Sequence, residues 1–124
     1  MFPPMLHELE AEVMEELWDR GESTVREVLD ALNAREPQVR AYTTVLTVMQ
    51  RLHTKELLRR SSRGRLHVYA PVLSRSEYAE ARTEAEVGAL VSEYGDVALA
   101  QFARAMDRLD PKRREQIRRL AGDD

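Results

Sequence analysis

Apolar residues recur along most of the chain at the three- or four-residue spacing of an amphipathic α-helix. The first such pattern runs from Leu6 to Trp18, with glutamates on the opposite face, and a second occupies residues 24–32. A third runs from about residue 42 to about residue 55, and a loop over residues 33–39 that contains Pro37 separates it from the second. The pattern therefore predicts two short helices and a third across a tight connection, as in a helix-turn-helix core.

Local start signals divide the rest of the chain into further helices. Thr24–Glu27 and Ser74–Glu77 both have the spacing of a capping box, which predicts that the second and fourth helices begin there. The fourth helix is expected to reach residues 94–95, and Asp96 can cap a fifth. Asp110–Pro111 combines an N-cap residue with proline at the first helical position, so it should open a sixth helix.

Between the third and fourth helices the pattern changes to that of a β-hairpin. Residues 57–60 and 65–71 carry strand-forming residues on either side of the turn sequence Ser61–Gly64. A hairpin joined directly to a third helix is the wing of a winged helix. Its predicted tip carries Arg60, Arg63 and Arg65, and arginines at such a tip typically contact phosphates. The alternative is a merely solvated hairpin. His67 is expected to be a packed or hydrogen-bonded strand residue and not a metal ligand.

The third helix has two contrasting faces. Val45, Val48, Met49 and Leu52 form an apolar face. The opposite face carries small uncharged polar groups and one leucine, namely Thr43, Leu46, Thr47 and Gln50. Hydroxyl and amide groups with aliphatic carbon suit base edges and thymine methyl groups in the major groove. The alternative is a core helix with a threonine-rich outer face.

Charge is segregated along the 124 residues, although the net charge is only −3. Residues 1–39 contain 3 Lys/Arg and 10 Asp/Glu, residues 40–75 contain 8 and 1, and residues 76–124 contain 8 and 11. The basic middle contains the third helix and the hairpin, and is the charge pattern expected for a polyanion partner such as DNA.

The C-terminal helices have apolar faces and no strands to cover. A second copy of the chain is the simplest partner for these faces, and folding back on the winged helix is the alternative. The sequence thus predicts a mainly α protein with a small β-hairpin wing. Residues 1–73 would form a winged helix-turn-helix DNA-binding domain and residues 74–124 a helical dimerisation region.

Several functional classes find no support in the sequence. There is no cysteine, no glycine-rich phosphate loop, no set of histidines at metal-ligating spacing and no nucleophile with an available base. We therefore expect no enzymatic activity, no cofactor and no metal. No apolar run approaches the roughly 18 residues of a membrane span, so we expect no membrane insertion and a cytoplasmic location.

Four motifs in order resemble the penicillinase repressor (BlaI/MecI) family of bacterial regulators. They are Val13–Trp18, Thr24–Val28, Ala41–Val45 with Arg51-Leu52, and Tyr69–Pro71. The resemblance implies a homodimeric winged-helix repressor with a C-terminal dimerisation region. It also implies palindromic operators with TACA/TGTA-type half-sites, and release by a membrane sensor metalloprotease in response to a signal such as cell-wall antibiotic stress. Copper-responsive relatives carry a C-terminal cysteine cluster that this chain lacks.

The resemblance also places site residues on this chain. The family's recognition positions correspond to Thr43, Thr44, Leu46 and Thr47, with Arg51 near the DNA backbone; the surface is neutral here, whereas staphylococcal-type members often carry charges there. Together with the helix and hairpin patterns, the predicted DNA-binding set is Ala41, Tyr42, Thr43, Thr44, Leu46, Thr47, Gln50, Arg51, Arg60, Arg63 and Arg65.

Two further sets lie in the C-terminal region. The predicted dimer interface is Leu90, Val91, Tyr94, Leu99, Phe102, Met106, Ile117 and Leu120. Family members cleaved by a sensor protease are cut at an Asn–Phe bond, and Gln101-Phe102 occupies the corresponding position here. The first hypothesis is a dimeric repressor that binds operator DNA. The alternative is a winged-helix adaptor whose arginines bind an acidic protein, and a metal-dependent hydrolase ranks third.

Overall fold

A computed structural model describes residues 2–35 and 39–122 of the chain. Within these ranges the chain forms six helices and one antiparallel hairpin, in the order that the sequence predicts. The elements are α1 (Glu8–Arg20), α2 (Val25–Ala34), α3 (Tyr42–Thr54), β1 (Leu58–Arg63), β2 (Leu66–Pro71), α4 (Arg75–Tyr94), α5 (Asp96–Asp107) and α6 (Pro111–Leu120). The mainly α fold with a β-hairpin wing is confirmed. Among the described residues, no helix has both the length and the apolar character needed to cross a membrane.

One hydrophobic core joins α1, α2, α3 and the hairpin. Each of the three helices contributes the face that its apolar spacing predicts, and Leu57, Leu58 and Tyr69 close the core from the hairpin side. In α3 the buried residues are those of the predicted apolar face, Val45, Val48, Met49 and Leu52. This burial leaves the opposite face of α3 turned toward solvent.

Helix starts follow the local signals closely. The backbone N–H of Thr24 donates to Glu27 Oε1 at 2.8 Å, and the backbone N–H of Glu27 donates to Thr24 Oγ1 at 3.2 Å. Ser74 and Glu77 make the same reciprocal pair before α4. Asp110 Oδ1 accepts from the backbone N–H of Arg113 at 2.8 Å, so the three predicted caps are confirmed.

Two local predictions were wrong by one or two residues. Asn33 and Ala34 belong to α2 and not to the following loop, because the apolar spacing ends before the backbone hydrogen bonding does. The rest of that predicted loop includes Pro37, which lies outside the described residues. Asp96 is the first residue of α5 and not its cap, since Gly95 takes the N-cap position with a φ of 58°.

The chain passes from α3 into the hairpin through a tight helix C-terminus. The backbone N–H of Leu57 donates to Leu52 O at 2.9 Å, and that of Glu56 donates to His53 O at 3.0 Å. This pair of bonds is the Schellman arrangement, which needs a positive φ at the residue after the C-cap. Glu56 has a φ of 64° there, where glycine is usual, so the sequence carries no visible signal for this turn.

The hairpin is fixed by its turn and by a third backbone segment. Arg63 pairs with Leu66, so Gly64 and Arg65 form a two-residue turn, and Gly64 has the positive φ of 62° that a type II′ turn requires at its first position. On the other edge of β2, Tyr69 and Ser23 exchange two backbone hydrogen bonds of 2.8 and 2.9 Å. The wing is therefore tied to the segment between α1 and α2.

The chain divides into two compact units, Met1–Thr83 and Glu84–Asp124. The first turns of α4 belong to the first unit: the indole N–H of Trp18 donates to Leu73 O at 2.9 Å, and the Trp18 and Tyr78 rings lie 5.6 Å apart. The predicted division of roles, with DNA binding in residues 1–73 and dimerisation in residues 74–124, stays a prediction. Experiments that separate the two parts should cut after Thr83.

The second unit has little interior of its own. Ala98 is its only buried residue among those described, and no residue of α6 is buried. The α5–α6 connection is held by the Arg114 guanidinium, which donates to Leu109 O at 3.0 Å and to Met106 O at 3.2 Å. Most of the apolar surface in this unit is left exposed.

A buried carboxylate links α1 to the end of α3. Glu10 is 2% exposed, and its carboxylate accepts from Lys55 Nζ at 2.7 Å and from the backbone N–H of His7 at 3.0 Å. Burial alone would raise the pKa of Glu10, but these two hydrogen bonds and the nearby positive charge together lower it below its ordinary value of 4.5. The pair thus holds α3 against α1 most strongly when Glu10 is ionised.

We expect Glu10→Gln to lower the free energy of unfolding at pH 7 by about 1–3 kcal/mol, because it removes a charge-assisted hydrogen bond. The pKa of Glu10 is lower in the folded state than in the unfolded state. The stabilisation is therefore complete above the unfolded-state pKa, and it is lost as the pH falls through the folded-state pKa. Denaturant unfolding should therefore show a difference between variant and wild type that shrinks below about pH 4. The control is Glu8→Gln, at an exposed position in the same first turn. A difference that does not depend on pH would mean that Glu10 stabilises by packing alone.

Candidate nucleic-acid interface

The outer face of α3, formed by Thr43, Leu46, Thr47 and Gln50, is the side of the helix away from the core. Thr43, Thr47 and Gln50 are exposed, whereas Leu46 is half-buried and its side chain packs partly against the core. The sequence places Leu46 on the outer face with nothing in its own helix to cover it, and the structure shows that the core covers part of it. The exposed part of this face carries hydroxyl and amide groups and no charge.

The start of α3 is held by side-chain hydrogen bonds and an ion pair that the sequence did not predict. Ala41 is the N-cap and makes no side-chain cap hydrogen bond. Instead, the Asn33 side-chain amide spans the gap from α2 to the start of α3: Asn33 Nδ2 donates to Arg40 O at 3.1 Å, and the Arg40 backbone N–H donates to Asn33 Oδ1 at 2.7 Å. The Arg40 guanidinium also pairs with Glu12 at 3.1 Å. These contacts fix the first turn of α3 against α1 and α2.

The wing arginines differ in position and in partners. Arg65 lies in the turn and Arg63 at the end of β1, but Arg60 lies in mid-strand opposite Tyr69 and not at the tip as predicted. The difference arises because the turn has only two residues and the strands extend closer to it than expected. Arg63 also contacts Glu22 at 3.5 Å, in an exposed ion pair. His67, predicted to be packed or hydrogen-bonded, is exposed on β2.

A cleft of about 250 Å³ separates α3 from the wing, and we call it the wing cleft. It brings together three predicted residues of α3 with Arg60 and Arg65 of the wing. Its lining is completed by residues of α2 and β2, so that the whole set is Thr24, Val25, Arg26, Tyr42, Leu46, Gln50, Arg60, Arg65, Leu66, His67 and Tyr69. Arg26 was not predicted, because its position in the sequence indicates only an exposed residue of α2.

The remaining predicted residues of α3 lie on its other flank. Thr43, Thr44, Thr47 and Arg51 line an open groove of about 470 Å³ together with residues 7, 9 and 10 of α1 and its N-terminal approach. The predicted residues of α3 therefore divide between two recesses, one on each flank of the helix. A helix of this kind, about 10–12 Å across with its side chains, matches a major groove about 12 Å wide.

Ion pairs decide which basic residues are available to a polyanion. Four of the eight Lys/Arg of residues 40–75 contact acidic residues from before residue 23, namely Arg40, Lys55, Arg63 and Arg75. The other four are Arg51, Arg59, Arg60 and Arg65, and none has a carboxylate within ion-pair distance in the described part of the chain. The acidic N-terminal block thus neutralises half of the basic block, and the free half lies on α3 and the wing.

All eight residues predicted for dimerisation lie in the second unit. All eight are exposed or half-buried; Tyr94 is 55% exposed and Leu99 51%. Gln101 and Phe102 lie in the middle of α5, inside regular helix, and both are exposed. Over residues 2–35 and 39–122, no three His, Asp or Glu side chains form a group that could hold a metal ion.

The sequence matches a known protein family over most of its length. The profile of a family described as penicillinase repressor matches residues 6–122. The transcriptional regulator BlaI of Mycobacterium tuberculosis, from strains CDC 1551 and H37Rv, is 51% identical over 73 residues. That match covers 58% of this chain and 51% of the relative, so the chain spans about half the length of these relatives.

Solved structures agree with the fold. The DNA binding domain of the repressor BlaI aligns with a TM-score of 0.53 at 29% identity, covering 61% of this chain and 90% of that domain. The Bacillus licheniformis BlaI monomeric form, solved in complex with the blaP half-operator, aligns with a TM-score of 0.51 at the same identity and coverage. The winged-helix architecture of such a DNA-binding domain is therefore present in this chain.

Proposed function

The chain belongs to the penicillinase repressor family, and we propose that it is a homodimeric transcriptional repressor that binds operator DNA and has no enzymatic activity. The observation that carries the proposal is the surface of α3 and the wing. An uncharged hydrogen-bonding helix face stands between arginines that have no carboxylate partner in the described ranges. A relative named as a transcriptional regulator, and solved neighbours described as a DNA binding domain and as a complex with a half-operator, support the same conclusion. We propose a cytoplasmic location, where such a regulator meets the chromosome.

The proposed docking places α3 in the major groove. Thr43, Thr47 and Gln50 then face base edges, and the methyl groups of Leu46 lie toward thymine methyl groups. Arg51 on one flank and Arg60, Arg63 and Arg65 on the wing contact phosphates, which position the protein without reading sequence. Ala41, Tyr42 and Thr44 complete the proposed contact set at the start of the helix. Palindromic operators with TACA/TGTA-type half-sites are the expected targets by family resemblance.

Dimerisation is proposed through the C-terminal helices. Their apolar side chains are exposed in a single chain, and a second copy that contributes the same face would cover them. The proposed contact residues are Leu90, Val91, Tyr94, Leu99, Phe102, Met106, Ile117 and Leu120. Two linked winged helices can occupy two half-sites together, which raises the effective concentration of the second for its site.

Release from DNA is proposed to follow a sensor-linked signal such as cell-wall antibiotic stress, with a membrane sensor metalloprotease as the partner. Cleavage between Gln101 and Phe102 would cut α5 and remove Phe102 from the proposed dimer contacts. The bond lies within regular helix, so it must unwind before a protease can accept it.

Thr47→Ala tests direct readout. We expect it to cost about 1–3 kcal/mol on a duplex with two TACA/TGTA half-sites, because one hydroxyl contact to a base is lost. On a scrambled duplex of the same length the loss should be much smaller. The measurement is a titration of each duplex, with Arg65→Ala as the contrasting variant, which should weaken both duplexes and flatten the salt dependence by about one unit. Equal losses for Thr47→Ala on the two duplexes would remove the outer face of α3 from base readout.

Truncation after Thr83 tests the dimer proposal. It keeps the turns of α4 that pack on Trp18, so the shortened chain should retain the helix and hairpin content of the first unit. Sedimentation should give a monomer, whereas the full chain should give a dimer. The truncated chain should bind the two-half-site duplex orders of magnitude more weakly, because tethering is lost. A truncated chain that still dimerised would assign the C-terminal helices another role.

Intact-mass measurement of the protein in induced cells tests the cleavage proposal. If the proposed bond is cut, an N-terminal fragment that ends at Gln101 should accumulate as the operator is released. Phe102→Pro should resist this cut, but it would also break α5. Gln101→Glu keeps the helix, so it is the better variant for testing resistance to cleavage. Loss of operator binding by full-length protein, with no fragment at any time, would indicate a different switch.

A further inference from the structure

The wing cleft has the chemistry of an anion site. Arg26, Arg60 and Arg65 bring three guanidinium groups to its lining, and the imidazole of His67 adds an N–H donor. No Asp or Glu belongs to the lining among the described residues. Such a concentration of donors without a carboxylate favours a ligand that carries negative charge on oxygen.

Arg26 is held at the edge of this cleft by a neighbour on α3. Its guanidinium carbon lies 5.1 Å from the centre of the Tyr42 ring. Its nearest carboxylate is Asp30, at 4.0 Å, and both of these side chains are about two-thirds exposed. An exposed pair at that distance contributes little, so the guanidinium remains available to a stronger anionic partner.

The position of the cleft identifies the ligand. A helix that fills the major groove is bordered on each flank by one phosphate backbone, because the groove is scarcely wider than the helix. One flank of α3 opens into the wing cleft, between the helix and the arginines of the hairpin. One DNA backbone separates the major groove that holds α3 from the DNA groove beside the wing. That backbone must therefore cross this cleft.

We propose that the wing cleft binds one phosphodiester of the operator backbone, and that Arg26 and His67 are phosphate-contacting residues beside Arg60 and Arg65. The inference rests on the proposed function, and it adds α2 to a contact surface that otherwise consists of α3 and the wing. A phosphate fixed between these elements sets how far α3 enters the groove and which bases Thr43 and Thr47 meet. Arg26 thus acts by positioning and reads no base itself.

The test compares Arg26→Gln with Arg118→Gln, which removes the same charge from an exposed position of α6. The probes are the two-half-site duplex and a scrambled duplex of equal length, each titrated at several salt concentrations. Arg26→Gln should weaken binding to both duplexes roughly tenfold. It should also reduce the slope of log K against log salt by about 0.9, the value for one phosphate contact. Arg118→Gln should match the wild type within about twofold.

Two further variants separate phosphate binding from support of Tyr42. Arg26→Lys keeps a cation and should restore most of the salt slope, even though the planar contact with the ring is changed. In a Tyr42→Ala background, Arg26→Gln should still reduce the slope, because the phosphate contact does not need the ring. His67→Ala should weaken binding to both duplexes, but by less than Arg26→Gln does. Thermal unfolding of each variant shows whether the winged helix is intact.

Three results would overturn the inference. If Arg26→Gln behaves like Arg118→Gln while the wild type binds the two-half-site duplex, the wing cleft holds no phosphate and the proposed function still stands. If the loss is confined to the two-half-site duplex, or disappears in the Tyr42→Ala background, Arg26 acts through the bases or through the ring. If the wild type itself binds neither duplex, the proposed function fails and the inference fails with it.

Discussion

The packing of Val45, Val48, Met49 and Leu52 against α1 and α2 determines which side of α3 reaches solvent. A helix has only one period, so burying these four positions commits Thr43, Thr47 and Gln50 to the outside. The end of the same helix then sets the wing. The turn at Glu56 directs the chain from α3 into β1, and the backbone bonds between Tyr69 and Ser23 hold the hairpin to the rest of the unit. The proposed base-reading and phosphate-binding surfaces thus depend on the packing of these four residues.

Electrostatics refines this arrangement. The acidic stretch before residue 40 is not merely a solvated face, since Glu10, Glu12 and Glu22 pair with Lys55, Arg40 and Arg63. Two of these pairs hold α3 in place and the third engages one wing arginine. The arginines that remain lie on α3 and the wing, the surface that we propose binds the duplex. A chain with net charge −3 can therefore still present a locally basic surface to DNA.

The sequence predicts features that neighbouring residues determine. It does not predict contacts between residues that only the folded structure brings together. Helical spacing predicted the buried face of α3, and the side-chain pairs at Thr24, Ser74 and Asp110 predicted helix starts, because both are decided within a few residues. The turn at Glu56 escaped detection, because glutamate occupies a position where glycine is the usual signal.

Long-range partners were missed for a different reason. Asn33 and Arg40 are 7 residues apart, Glu22 and Arg63 are 41 residues apart, and Arg26 joins the wing cleft only when α2 and the hairpin come together. No pattern within a single segment specifies these neighbours.

A hydroxyl-radical footprint of the wild-type chain on the two-half-site duplex tests the central claim most directly. We expect two symmetric protected segments per duplex. Protection should fall on the backbones that border each major groove entered by α3 and on the adjacent minor-groove edge at the wing. Protection spread evenly along the duplex, or the same pattern on a scrambled sequence, would contradict it.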